Sequence, residues 1–364
     1  LRVVLKAALV SPRFLFREET KTVLDKKQQA YLLDDFTLAN RLSYFLWSSM
    51  PDDALWQRAL SGTLRSNLAK EVRRMLDDPK SESFIVNFTG QWLQLRDLEM
   101  SNPDRRRYPS FSDGLRSDMR KETEYFFTHL LRQNRPISEF LTANYTFSNK
   151  KLADYYKLDG KFDDKFKKVS LSGVNRTQRG GLLSHSSILT ITSNPTRTSP
   201  VKRGRWVLDN LLGAPPKEPP PGIPELEPSS TGADFKLSLR EQLANHSRSS
   251  DCSSCHASMD AMGFALENYD AIGKWRSNED GKPIDSIGKL ATGEIFSGPM
   301  ELQQFIADKK LSAFTRSLTE KLLTYAIGRG MEYYDRQAIE KIARKVSSKG
   351  QGLEDLIVEV VLSP

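Results

Sequence analysis

The chain has 364 residues, a formal net charge of +8 and only two cysteines, length enough for two or three domains with sizeable cores and no covalent staples. Two cysteines exclude a disulfide framework, and no apolar run approaches the roughly 18 residues of a membrane span. The 54 Lys and Arg are interspersed with 46 Asp and Glu rather than gathered into aromatic-laced basic stripes, so no nucleic-acid partner is expected.

In chain order, residues 1–150 read as a helical domain. Leu38, Leu42, Phe45 and Leu46 fall at i, i+4, i+7 and i+8 behind Asp34 or Asp35 as N-cap. Pro51 suits the first position of the next helix, with Asp52 and Asp53 at its positive end. Leu115, Met119, Phe126 and Leu130 form a third stripe. Residues 151–290 form a central domain: a short helix or strand and an ordered loop around 180–199, then a helix from about 200 closed by Gly213, then the proline-rich segment 214–228, which favours an extended strap. Another helix is expected over 232–250, and a small hairpin after residue 276. Residues 291–364 return to helix, with Phe314, Leu318, Leu322 and Tyr325 as one stripe ending at Gly328. The fold class is mainly α.

Both cysteines stand in one pentapeptide, CSSCH, residues 252–256. C-x-x-C-H is the spacing of covalent c-type haem attachment. Two thiols one helical turn apart can each bond one vinyl group along a porphyrin edge, and the adjacent imidazole faces the iron. On these residues alone three other readings stay open: a zinc site that adds His246 and a further histidine, a redox dithiol, or chance.

The flanks carry a resemblance. "CSSCHASMDAMGFALENYDAIGKWR" and "RGGLLSHSSILTITSNPTRTSPVKRGRWVLDNLLGAPPKEPPPGIPELE" resemble the haem-bearing segment of the large multidomain cytochrome-like proteins of planctomycetes, described by domain families 1592, 1588 and 1585 in tandem. "SPRFLFRE", "LANRLSYFLWSSMPDDALW" and "LLTYAIGRGMEYYDRQAIEKI" are similar to the same family, so the likeness runs along the whole chain. It implies one covalent haem c held by Cys252, Cys255 and His256, export to the periplasm or beyond before attachment, and electron transfer to a redox partner protein or to other domains of a longer parent chain. Leu1 at the start and motifs cut at both ends read as a trimmed or mature form. One departure is visible: Asp260 is followed by Ala261, where the family usually has proline.

The potential and reactivity of such a haem turn on its second axial ligand, and its propionates need cations. His185 is the expected distal histidine. Met259 and Met262 follow His256 too closely to reach the opposite face, Met300 and Met331 are methionine alternatives, and His129 reads as structural. Arg197 and Arg203 are the expected propionate clamps, with Trp206 lining the pocket. The alternatives are a haem oxidoreductase of peroxidase or dehydrogenase type with an open distal site, and a non-enzymatic module with structural haem or zinc.

Overall fold

The computed structural model describes residues 1–15, 21–25, 30–217, 240–241, 243, 250–279 and 281–363. Helix dominates them, as the hydrophobic spacing predicts. Strands among the described residues form four antiparallel pairs: β1 (Lys21–Asp25) with β2 (Ala30–Leu33), β3 (Tyr145–Ser148) with β4 (Lys167–Ser170), β5 (Asn278–Glu279) with β6 (Lys282–Pro283), and β7 (Ile287–Lys289) with β8 (Ile295–Ser297). The last two pairs are two short hairpins, where one was expected after residue 276. β1, β2 and β3 correct the wholly helical reading of residues 1–150. The proline-rich segment beyond residue 217 and most of the helix expected over 232–250 lie outside the described residues. No described helix is long and apolar enough to cross a membrane.

Contacts group the chain into two units of non-consecutive segments. The first comprises Leu1–Phe84, Leu322–Ala338 and Ile357–Pro364. Its helices begin with α1 (Arg2–Leu9), α2 (Pro12–Leu15) and α3 (Asp35–Trp47). Asp34 caps α3 by accepting from the Thr37 amide at 2.8 Å and its hydroxyl at 2.9 Å, and the helix closes at Ser48 in the left-handed region. Helix α4 (Asp53–Leu60) starts two residues later than its proline suggests, because Asp52 is the residue whose side chain can accept from the Leu55 amide. Asp52 also pairs with Arg74 of α5 (Leu68–Asp77) at 2.7 Å. Buried Glu71 holds both Arg58 and Arg74 at 2.5 and 2.8 Å. Trp47 donates to the Met75 carbonyl at 2.8 Å, satisfying its indole N–H inside the core. Phe45, Phe84 at the start of α6 (Glu82–Trp92) and Tyr325 form a triad of rings 5.5–5.9 Å apart.

The second unit comprises Ile85–Lys321 and Ile339–Leu356. Its spine is the 20-residue α7 (Asp113–Arg132), capped by Ser112. The buried face of α7 carries the expected stripe and also Glu122 and Thr123, two polar residues set among Phe126, Phe127 and Leu130. Phe88, Trp92, Phe127, Phe140 and Phe314 pack ring against ring around it, and the Trp92 indole donates to the Asn210 carbonyl. Short elements follow: α8 (Glu139–Thr142), α9 (Lys150–Tyr156), α10 (Gly173–Gln178) and α11 (Ser186–Ile191). Then α12 (Pro200–Trp206) begins on a proline behind the Ser199 cap and continues through a π-helical turn, 207–211, to Gly213 at φ +59°. Helix α13 (Ser250–Phe264) contains the pentapeptide, and α14 (Gly298–Lys309) follows β8. The chain ends in α15 (Leu311–Ile327), α16 (Arg336–Lys349) and α17 (Leu353–Val361). As expected, α15 stops at Gly328, φ +70°.

Candidate functional site

Helix α13 places Cys252, Cys255 and His256 on one continuous stretch of helix, so the cysteines are one turn apart, the separation that thioether attachment to two vinyl groups requires. His256 is half-buried. Its Nδ1 lies 3.1 Å from both carboxylate oxygens of Asp260, one turn further along the same helix. That pairing draws the imidazole pKa above its ordinary value, the hydrogen bond outweighing the opposing effect of burial. It also selects a tautomer: with Nδ1–H donating to Asp260, the lone pair sits on Nε2. Ala261, in the place of the family's proline, lies within the helix, which runs on to Phe264.

The position of α13 is set by α12. A Cβ built on Gly204 would lie 1.7 Å from the Met259 carbonyl oxygen, and one on Gly263 would lie 1.9 Å from that of Pro200. Each glycine therefore admits the other helix's backbone where no side chain fits. Met259 and Met262 are buried beside this crossing, in the packing role their nearness to His256 implied.

Beyond α13, residues 265–276 are held mainly through their carbonyls. Arg203, 1% exposed, donates to the carbonyls of Leu266, Tyr269 and Asp270 at 2.7–2.8 Å and lies 3.4 Å from the Glu267 carboxylate. Arg203 therefore braces this loop from within, and its fork is not presented to an outside carboxylate as the propionate expectation required. Glu267 also receives Thr198 and Arg276, and burial raises its pKa against the pull of both arginines. Arg179, which the sequence reading passed over, donates to the carbonyls of Ser184 and Gly273 and lies 3.6 Å over the Tyr156 ring. Arg197 is half-buried and reaches the Thr198 carbonyl at 3.2 Å. Trp206 is buried on α12.

His185 stands at the start of α11 and is wholly buried against α7. Its Nδ1 is 3.0 Å from the Thr123 hydroxyl, its ring meets Phe126 edge-on at 5.0 Å, and Nε2 has no hydrogen-bond partner among the described residues. Burial, with Arg179 adding to it, pushes its pKa down to about 3, so the ring is neutral. Glu122 beside it accepts from Thr146 and Tyr156, both at 2.5 Å, yet burial lifts its pKa to about 7. His129 lies near Lys168 and between the Tyr145 and Phe147 rings, a structural setting. Met300 contacts Arg176 through its sulfur, and Met331 lines a cavity of about 790 Å³ in the first unit, floored by Leu42, Phe45, Leu68 and Leu323. His246 lies outside the described residues, as do the side chains of Cys252 and Cys255. Among the described residues no three His, Cys, Asp or Glu gather as a metal-binding group.

The donor set nonetheless fits a c-type haem at α13: two cysteines one turn apart, and an imidazole whose outer nitrogen carries the lone pair because a carboxylate fixes the inner one. In class, the chain is a mainly α protein matched along its length by three consecutive family models, the middle one spanning the CxxCH helix. Three family models match it in tandem, each described as a protein of unknown function: DUF1592 over residues 33–158, DUF1588 over 179–279 and DUF1585 over 292–364. Neither the curated proteins nor the solved structures contain a match.

Proposed function

We propose that this chain is an exported c-type haem protein that transfers electrons to a partner protein or to further domains of its parent chain. Cys252 and Cys255 would carry the porphyrin as thioethers and His256 would be the proximal iron ligand. The observation that carries this reading is the His256–Asp260 pair on the helix that bears both cysteines. The tandem match to domain families associated by name with cytochrome c supports it. When bound, the haem supplies a one-electron couple. The chain's own contribution is to hold the imidazole at a fixed angle on a helix pinned by Gly204 and Gly263, and to keep the following loop braced by Arg203 and Arg276.

Expression with haem-attachment machinery tests the reading. The expected product keeps its haem after denaturation and shows a c-type absorption spectrum, and Cys252→Ser with Cys255→Ser abolishes both. A protein that emerges without haem overturns the proposal. Low-spin iron accords with electron transfer, whereas high-spin iron that reacts with peroxide would favour the oxidoreductase alternative.

A further inference from the structure

We propose that Asp260 is the positioning residue for His256, fixing the ring's rotation and strengthening its donation to iron so that the oxidised state is favoured; this rests on the haem reading above. The two residues are four apart on α13, the spacing at which side chains on one helix face meet. Both carboxylate oxygens lie 3.1 Å from Nδ1, so the imidazole is held by an anion. Asp260 is itself 8% exposed, and little water is present to screen that charge.

A carboxylate on Nδ1 gives the ring partial imidazolate character and makes Nε2 a stronger donor, which stabilises the more highly charged iron. The turn of helix that carries the carboxylate is also fixed in place. It lies between Met259, whose carbonyl is pressed against Gly204, and Gly263, which is pressed against the carbonyl of Pro200. These backbone contacts hold α13, and with it both His256 and Asp260, against α12.

The test compares the haem-loaded wild type with Asp260→Asn and Asp260→Glu by reduction potential and absorption spectrum. Asn keeps the shape and removes the charge. The expected result is a rise in potential equivalent to about a tenfold shift of the ferric–ferrous equilibrium, about 59 mV for one electron, with partial return in the Glu variant. A loaded Asn variant with the wild-type potential overturns the role of Asp260 while the haem reading stands. A wild type without haem overturns the reading itself, so the two failures are distinct. If the Asn variant does not load, the wild type alone decides, through the iron–histidine stretch measured after photolysis of its carbon monoxide complex. A frequency above that of an imidazole bonded to a neutral acceptor supports the proposal, and a frequency equal to it overturns it.

Discussion

Gly204 and Met259 meet backbone to backbone: a Cβ on the glycine would lie 1.7 Å from the methionine's carbonyl oxygen. No rotamer relieves such a clash, because a Cβ is placed by the backbone alone and the oxygen it meets is main chain. Gly204→Ala must therefore push α12 and α13 apart, and a loss of about 3 kcal/mol is expected, at the upper end of ordinary overpacking. Urea unfolding measures it. An unchanged midpoint would show that the two helices are not held at this distance.

Arg203→Lys should cost about 1.5–3 kcal/mol for each carbonyl that loses its charged donor, although it keeps the charge. The planar guanidinium reaches the Leu266, Tyr269 and Asp270 carbonyls together, and a lysine ammonium cannot reproduce that fork. Hydrogen exchange of the amides in 265–276 should accelerate first. Protection equal to wild type would argue against the bracing role.

His185→Ala tests the expected distal ligand. As a core residue against Thr123 and Phe126, its loss should destabilise by about 2–4 kcal/mol, as other large-to-small core changes do, and leave the spin state of a bound haem unaltered. A change to high-spin iron would assign the unpartnered Nε2 to iron instead.

Glu122 makes stability depend on pH with a definite sign. Its carboxyl ionises at about 7 in the folded protein against 4.5 when exposed. The native state therefore holds a proton that the unfolded state has released between those values. Stability contributed by this group is complete below pH 4.5 and falls as pH rises to about 7, by a total on the order of 3 kcal/mol. Glu122→Gln should remove that slope. Subtracting the variant's unfolding free energy from that of the wild type at each pH isolates it from the other carboxylates, and a flat difference would contradict the burial of this charge.

How much of this was legible in the sequence depended on whether the signal was local. The Asp34 cap, the Leu42–Phe45–Leu46 stripe and the Gly328 stop all follow from neighbours within a turn or two, and all are present. Pro51 misled by two residues, because proline's fixed φ fits a helix start but only Asp52 can accept the Leu55 amide. The carboxylate on His256 could have been read: a helical histidine with an acid four residues on is a contact pair, yet Asp260 drew notice only as the residue before a missing proline. Arg203 could not. Its partners are carbonyls 63–67 residues away, and a main-chain acceptor leaves no trace in residue identity. His185 and Glu122 likewise required knowing that α11 lies on α7.

The grouping of Leu1–Phe84 with Leu322–Ala338 and Ile357–Pro364 bears on the order of events during biogenesis. The first 84 residues emerge from the ribosome more than 200 residues before the segments that complete their unit, and the second unit also waits for Ile339–Leu356. Neither unit can close until nearly all the described chain has been made. Completion of each unit is thus tied to late synthesis, a timing that proteins folding domain by domain from the N-terminus do not have.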